Sequence, residues 1–393
     1  MPSRTNSSLT ASLLPEDERR ESMIGAEINL PDETPILDLD KLTEEDKQTL
    51  RQALFDNSVV VIRNQQGINP QTLPKLAAVF DPHATNEHSA GKKAVSDPRN
   101  ILSSYRAGRL PAAPQVSVIG SGKFTDYEGI SELEVVHLDH TLFHELPLSP
   151  EELDKNYTRP YRWHMDTPLY ERLPGEVTIL HGVQIPKVPD QKIKFENGEE
   201  KTIAAGSTAF FSGARVFNLL TPEEKEFAMN TTVTYAPQAY EYIRNCKCSA
   251  DGLTIPTFGK ETPLEELSEW TQEHVAEYPM VWKNPGNGQP HFQVHGCCVY
   301  KLTTKNPATG EVTVVDDVPT VRKIVYAMQR KVYAAENIYA HRWREGDVVI
   351  FHNKGVMHSI TGQLAKYKEE EEKKRLMWQC TMSTTQKPIP YRA

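Results

Sequence analysis

The sequence contains no long hydrophobic run and no excess of basic charge. Its longest apolar stretches, at 58–62 and 348–351, have strand length and fall short of the roughly 18 apolar residues that a membrane-spanning helix needs. Its 53 acidic residues outnumber its 44 Lys and Arg residues, and the formal net charge of −9 has the wrong sign for binding nucleic-acid phosphates. We therefore expect neither a membrane protein nor a nucleic-acid-binding protein.

Cysteine is also scarce. The five cysteines cannot form a closed set of disulfides, and the spacings Cys246-Lys-Cys248 and Cys297-Cys298 would strain a local bridge. The first residues are polar and lack the hydrophobic region of a secretory signal. We therefore expect reduced thiols in a cytoplasmic protein, with Cys246 and Cys248 as incidental thiols or, less simply, a redox pair.

The chain does contain many short β-rich runs, which follow a polar segment. Residues 1–22 are predicted to form a flexible leader, and a capping pattern at Thr43 predicts a helix over 46–55, with a second helix over 70–80. Short strands separated by Gly, Pro and Asn are typical of a sandwich or barrel. Strands are predicted at 24–28, 59–63, 115–119, 177–183, 208–211, 231–235, 322–325, 347–351 and 376–382.

One long stretch, 237–338, interrupts this β-rich pattern. It contains helical patterns at 263–270 and 318–335, the second of which overlaps the strand pattern at 322–325. Insertions of this length often cover a site. We interpret 23–393 as a single domain that carries this insertion, because the candidate site residues lie on both sides of it.

The segment Arg162-Trp-His-Met-Asp-Thr-Pro168 holds the most informative pattern. His164 and Asp166 alternate by two residues, so an extended backbone would project both side chains from the same face. A second histidine would complete a 2-His-1-carboxylate triad, which leaves three positions of an octahedral Fe(II) open. His358, which follows a turn, a strand and a second turn, is the predicted third ligand, with His352 as its competitor.

Further polar residues are candidates for binding small molecules. Arg375, at the start of the last predicted strand, offers a guanidinium that suits a dicarboxylate. Substrate contacts are predicted for five residues: Gln115, Lys123, Arg162, Gln379 and Thr381. Trp163 is interpreted as a packing residue that shields the metal. A zinc site formed by the imidazoles of 137, 140 and 144 is an alternative without an evident fourth ligand.

Several ordered motifs together resemble the TauD/TfdA family of Fe(II)- and 2-oxoglutarate-dependent dioxygenases. They are Ile24-Gly-Ala-Glu, Val59-Val-Val-Ile-Arg-Asn-Gln65, Trp163-His-Met-Asp166, Gly206-Ser-Thr-Ala-Phe-Phe-Ser212, and Gly346-Asp-Val-Val-Ile-Phe with His358 and Arg375. The resemblance implies a mainly β fold with flanking helices (α+β) around a double-stranded β-helix, or jelly roll. It implies iron binding by His164, Asp166 and His358, and binding of the far carboxylate of 2-oxoglutarate by Thr208 and Arg375.

The long region at 237–338 resembles the fungal branch of this family. The resemblance implies oxidation of an unactivated C–H bond of a small polar metabolite, with succinate and CO2 released. The outcome would be hydroxylation, or desaturation or cyclisation from the same chemistry. The candidate substrates are a purine such as xanthine and an amino acid or secondary-metabolite precursor. A non-catalytic or zinc-dependent jelly-roll protein is the alternative.

Overall fold

The computed structural model describes residues 8–33, 35–84, 108–137, 139–166, 169, 171–364, 367 and 370–392. The strands are β1 Thr10–Leu13, β2 Ala26–Asn29, β3 Val59–Ile62, β4 Gly108–Leu110, β5 Ala113–Tyr127, β6 Ile130–Val135, β7 Tyr157–Thr158, β8 Val177–Gln184, β9 Gln191–Lys194, β10 Glu200–Ile203, β11 Thr208–Ser212, β12 Thr231–Tyr235, β13 Glu277–Pro279, β14 Val281–Lys283, β15 Pro290–Phe292, β16 Val299–Lys305, β17 Val312–Val315, β18 Tyr339–His341, β19 Val348–His352, β20 Val356–Ile360 and β21 Arg375–Thr381. The helices are α1 Glu16–Arg19, α2 Glu44–Asn57, α3 Thr72–Phe80, α4 Pro150–Asp154, α5 Gly213–Leu219, α6 Pro222–Met229, α7 Ala239–Tyr242 and α8 Val318–Gln329.

A large sheet forms one layer of the molecule. Its strand order is β1-β2-β3-β19-β8-β21-β5-β4, with β6 paired to β5, and its neighbours are antiparallel except for the parallel pair β2 and β3. The central strands β3 and β19 are buried along their whole length, which explains their continuous runs of Val, Ile and Phe.

The two predicted N-terminal helices cover the outer face of this sheet. Thr43 caps α2 in a reciprocal capping box with Asp46, as its sequence pattern predicts. Leu50 and Leu54 of α2, together with Leu73 and Leu76 of α3, are buried in the hydrophobic cluster on this face. The burial of these four leucines attaches both helices to the sheet.

A smaller sheet, of order β18-β11-β20, faces the inner side of the large sheet. A second hydrophobic cluster fills the space between them, with Phe210 and Tyr339 from the small sheet and Leu180, Phe351 and Met377 from the large one. Two facing antiparallel sheets with helices on the outside form the predicted sandwich. The metal-ligand candidates lie along the edge strand β20 of the small sheet.

The region 237–338 adds a third layer beside the small sheet. Its strands β13, β16 and β17 join β12 in a sheet of order β13-β12-β16-β17, and Leu302, Val321 and Val325 lie in the largest hydrophobic cluster. No helix in the described ranges is both long and apolar enough to cross a membrane.

Three local predictions are wrong. The leader predicted over 1–22 is already part of the fold from residue 8, because β1 pairs with β2 and Leu9 and Leu14 are buried; residues 1–7 lie outside the described residues. The strand predicted at 322–325 lies inside α8, where the Asp317 side chain caps the helix by accepting from the backbone N–H of Thr320. The helix pattern at 263–270 yields only a short 3-10 turn at Leu264–Glu266.

Candidate metal centre

His164 and His358 are brought together by the backbone. The N–H of each donates to the carbonyl oxygen of the other at 2.9 Å, as an isolated antiparallel bridge. His358 lies on β20, where Phe210 of β11 is its partner on the other side. The bridge therefore fixes the segment that carries His164 and Asp166 against the edge of the small sheet.

The side chains of His164, Asp166 and His358 converge. One ligand atom from each lies within 4.8 Å of the others, and the Nε2 atoms of His164 and His358 are 3.8 and 3.6 Å from Oδ1 of Asp166. These distances are too long for hydrogen bonds, so three lone-pair donors face one another as they would around a cation. Among the described residues this is the one group of three or more His, Cys, Asp or Glu side chains that could share an ion.

Both imidazoles are held in a form that binds metal. Nδ1 of His164 lies 3.0 Å from the carbonyl oxygen of Arg162; because a carbonyl only accepts, Nδ1 carries the proton and Nε2 offers its lone pair. Burial lowers the pKa of His358 to about 3, and His164 acts in the same direction. Burial also lowers the pKa of His164, against the attraction of Asp166. Neutral imidazoles near pH 7 fit a metal ion.

The backbone of Asp166 is clamped by Asn353. The N–H of Asp166 donates to Oδ1 of Asn353 at 2.7 Å, and Nδ2 of Asn353 donates to the carbonyl oxygen of Asp166 at 2.7 Å. Asn353 is fully buried in the turn between β19 and β20. The turn that leads to His358 therefore also positions Asp166.

The carboxylate of Asp166 is oriented by hydroxyl and amide donors. Its Oδ2 accepts from Oγ1 of Thr178 at 2.8 Å and from Nε2 of Gln379 at 3.2 Å, while Oγ1 of Thr381 lies 3.5 Å away and 3.0 Å from the Thr178 hydroxyl. This leaves Oδ1 directed at the histidines. Gln379 and Thr381 point inward as predicted, but the structure makes them partners of the metal ligand, and substrate contact stays a prediction.

Arg375 and Thr208, the predicted 2-oxoglutarate residues, come from the two facing sheets. Arg375 begins β21, is buried, and donates from Nη2 to the carbonyl oxygen of Gly206 at 3.1 Å. Thr208 lies two residues beyond Gly206, and its hydroxyl accepts from the indole of Trp343 at 3.2 Å. The guanidinium therefore lies at the start of the strand that carries Thr208.

The three other predicted substrate contacts differ in their surroundings. Lys123 is exposed on the β5–β6 hairpin opposite Glu134, which argues against a contact inside the sandwich. Gln115 is half-buried in β5, and its Oε1 is buried without a hydrogen-bond partner among the described residues. Arg162 is buried two residues before His164. Of the three, Arg162 stands nearest in sequence to the candidate metal ligands.

The competing metal ligands lie elsewhere. His352 directs Nε2 at Oε1 of Glu176 at 3.0 Å, and Lys354 binds the other oxygen of Glu176 at 2.7 Å. Of the predicted zinc histidines, His144 donates from Nε2 to the carbonyl oxygen of Pro160 at 2.9 Å. The three imidazoles form no metal-binding group in the part of the chain that the structure describes.

Trp163 packs as predicted. Its ring lies against Phe211 with 4.7 Å between ring centroids, and its indole N–H donates to the carbonyl oxygen of Asp251 at 2.8 Å.

Cys246 and Cys248 are buried, and burial raises the pKa of the Cys246 thiol to about 12. A thiol held protonated in this way is a poor nucleophile, which argues against the redox alternative.

Sequence reasoning missed Asn353, Thr178 and Trp343. Asn353 belongs to the second turn predicted before His358, and an Asn-Lys-Gly sequence indicates a turn without any contact. Thr178 and Trp343 lie within or beside strand patterns, where Thr and Trp are common for packing reasons. Nothing in their local sequence indicates a partner far away in the chain.

Facing β-sheets that bring two histidines and one carboxylate together define a jelly-roll metalloenzyme. The chain belongs to the TauD/TfdA family, because the family model described as taurine catabolism dioxygenase TauD, TfdA family, matches residues 16–381. The predicted family and the predicted dioxygenase class are thereby confirmed.

Individual relatives and structures agree with this assignment. The chain is 38% identical over 358 residues to an alpha-ketoglutarate-dependent xanthine dioxygenase of Emericella nidulans, covering 91% of this chain and 93% of that protein. It is 38% identical over 355 residues to an enzyme of the same description from Schizosaccharomyces pombe, covering 90% and 84%. The solved structure of AAD-2 with Mn(II) and N-oxalylglycine has a TM-score of 0.57 at 14% identity, covering 97% and 99%, which confirms the fold.

Proposed function

We propose that this enzyme uses Fe(II), 2-oxoglutarate and O2 to oxidise a C–H bond of an oxopurine such as xanthine. The observation that carries the proposal is the convergence of His164, Asp166 and His358 on one point. The relatives named xanthine dioxygenases support the substrate, because each aligns with about nine tenths of this chain.

The donor set fits Fe(II). Two neutral imidazoles and one carboxylate occupy one face of an octahedral ion and leave three positions for a chelating cosubstrate and O2. When bound, Fe(II) with 2-oxoglutarate and O2 supplies the oxidising power, and 2-oxoglutarate leaves as succinate and CO2. Asp166 fits this role because Thr178 and Gln379 bind only its outer oxygen.

The protein's contribution is to bind and orient. We assign Arg375 and Thr208 to the far carboxylate of 2-oxoglutarate, because a buried guanidinium beside a hydroxyl-bearing strand end suits a carboxylate. Asn353 keeps Asp166 in register with His358. One atom of O2 ends in succinate and the other in the hydroxylated substrate, so the balance requires no further reductant.

The thiols support a reducing compartment. All five cysteines are free and buried. Free thiols persist most readily in a reducing compartment, which supports the proposal that the enzyme acts in the cytoplasm.

The direct test is substrate-dependent succinate release. Purified enzyme with Fe(II), ascorbate and 2-oxoglutarate is mixed with xanthine, amino acids or sulfonates, and succinate and the oxidised product are measured by mass spectrometry. We expect xanthine to give one equivalent of succinate per product that is heavier by one oxygen atom. Succinate release stimulated by an amino acid but not by xanthine would contradict the proposed substrate.

A further inference from the structure

Three polar side chains lie beside the candidate metal ligands without a role in holding them. Arg162 precedes His164 by two residues, Tyr240 lies on α7, and His295 follows β15 in the region 237–338. The ring of His295 stands 6.4 Å from that of His164 and 6.0 Å from that of Tyr240, measured between centroids. Tyr240 and His295 therefore bring the region 237–338 beside His164, two residues from Arg162 in sequence.

Arg162 is a buried cation without a counterion in the described part of the chain. It is only 6% exposed, and its guanidinium lies over the ring of Phe143 at 5.0 Å, but no hydrogen bond or ion pair engages its side chain there. Burying a charge that is not paired is strongly unfavourable, because the charge loses its water without gaining a partner. A buried guanidinium of this kind is expected where a ligand supplies the missing acceptors.

The carboxylates closest to this segment are already engaged. Oδ2 of Asp166 accepts from Thr178 and Gln379, and its Oδ1 faces the histidines. The carboxylate of Asp251, whose backbone oxygen binds Trp163, accepts from the Tyr326 hydroxyl at 2.8 Å. Neither carboxylate forms an ion pair with Arg162.

Tyr240 borders the same space. It is only half-buried, although it packs against the largest hydrophobic cluster, and its hydroxyl has no hydrogen-bond partner among the described residues. Burial raises the pKa of this phenol, and the charges of Asp166 and Arg162 act on it in opposite directions. His295 is fully buried at a T-shaped angle to the ring, so it positions Tyr240.

We propose that Arg162 and Tyr240 form the binding wall for the oxopurine, with the Arg162 guanidinium donating to a ring carbonyl oxygen and Tyr240 contacting the flat heterocycle. This inference rests on the proposed function and names the residues that select its substrate. A guanidinium alone would also suit a sulfonate or an amino-acid carboxylate. The adjacent aromatic ring favours a planar ligand, because stacking needs a second flat surface.

The test is steady-state kinetics of Arg162→Gln, Arg162→Lys and Tyr240→Leu with xanthine. We expect Arg162→Gln to raise the KM for xanthine about 10- to 100-fold, as expected for loss of a charged hydrogen bond. We expect Tyr240→Leu, which removes the aromatic ring, to raise it about 3- to 10-fold. Arg162→Lys should recover part of the affinity. The KM for 2-oxoglutarate should stay unchanged in all three variants, because Arg375 and Thr208 are intact.

A matched control and a folding check keep the result interpretable. Arg342→Gln makes the same change at a surface ion pair with Asp190 and should leave both KM values unchanged. The visible band of the anaerobic Fe(II) and 2-oxoglutarate complex reports whether each variant still folds around the metal. A variant that retains the band and the wild-type KM for xanthine would overturn the role of its residue.

Oxopurine analogues test the chemistry of the contact. Against a purine that lacks the oxygen bound by Arg162, wild type and Arg162→Gln should have similar KM values, whereas xanthine should separate them. If Arg162→Gln raises the KM equally for every purine, the proposed hydrogen bond to a carbonyl oxygen is overturned. If the wild type fails to oxidise xanthine, the proposed function fails; if it oxidises xanthine but Arg162→Gln is unaffected, only the binding wall fails.

Discussion

His164 and His358 exchange both of their backbone hydrogen bonds, each 2.9 Å long, across the edge of the small sheet. Two imidazoles on directly opposed residues of an antiparallel pair project from the same face. The backbone pairing therefore places both Nε2 atoms beside Asp166 before any metal binds. The metal site is consequently part of the fold, and its loss should leave most of the sandwich intact.

Removal of either histidine should abolish turnover without unfolding the protein. We expect His164→Ala and His358→Ala to lose succinate formation and tight Fe(II) binding, because two ligands hold the ion much less firmly than three. Thermal melts and metal titrations would measure this. The matched control is His274→Ala at a partly exposed histidine, which should behave as wild type. A His164→Ala variant with the wild-type yield of succinate would refute the ligand assignment.

Asn353 should strengthen Fe(II) binding, although it is not a ligand. Asn353→Ala removes both side-chain bonds to the Asp166 backbone, and we expect the Kd for Fe(II) to rise about 10- to 100-fold, as is usual when a ligand loses its support. Isothermal titration would measure the change. Asn197→Ala, in the exposed turn between β9 and β10, is the control. An unchanged Kd would show that Asp166 keeps its position without the clamp.

Arg375 should select the dicarboxylate cosubstrate. We expect Arg375→Gln to raise the KM for 2-oxoglutarate about 10- to 100-fold, because a charged hydrogen bond to the far carboxylate is lost. The variant should lose its preference for 2-oxoglutarate over 2-oxo acids that lack the second carboxylate. Succinate or analogue product release measures both effects. If the preference persists in the variant, another residue binds that carboxylate.

Protonation of the Glu176 carboxylate should lower the free energy of unfolding in acid. Burial alone would raise the pKa of Glu176, but the hydrogen bonds and charges of His352 and Lys354 outweigh it and lower the pKa to about 2. A carboxyl whose folded pKa is depressed stabilises the fold above its unfolded pKa of 4.5 and loses this contribution as pH falls toward 2. The free energy of unfolding should fall by up to about 3 kcal/mol through this group.

Urea unfolding at pH 7, 5 and 3.5 measures this contribution. Glu176→Gln should be less stable than wild type at pH 7, and the difference between the two proteins should shrink as the pH falls. A difference that stays constant from pH 7 to 3.5 would show that the Glu176 charge does not stabilise the fold.

The sequence predicts the parts of this protein that depend on local pattern. The capping pattern at Thr43 predicts α2, and the apolar run that begins at Val59 predicts β3. The turn, strand and turn before His358 also predict the strand that carries it. These features depend on neighbours in the chain, which is why the pattern is sufficient.

Long-range pairing is what the pattern could not predict. Residues 10–13, Thr-Ala-Ser-Leu, are too short and too weakly apolar to predict a strand, and they become β1 because β2 offers a free edge. Val321 and Val325 suit a strand or a helix equally, and the cap at Asp317 decides for α8. The bonds from Asn353 and Gln379 to Asp166 join distant parts of the chain, so no local signal reveals them.

An anaerobic titration of the enzyme with Fe(II) and 2-oxoglutarate is the decisive test of an iron site formed by His164, Asp166 and His358. We expect a weak visible charge-transfer band that saturates at one equivalent per chain in the wild type. The band should be absent in His358→Ala and should need more 2-oxoglutarate in Arg375→Gln. A folded wild-type protein that shows no band, or a band that survives in His358→Ala, would contradict this iron site.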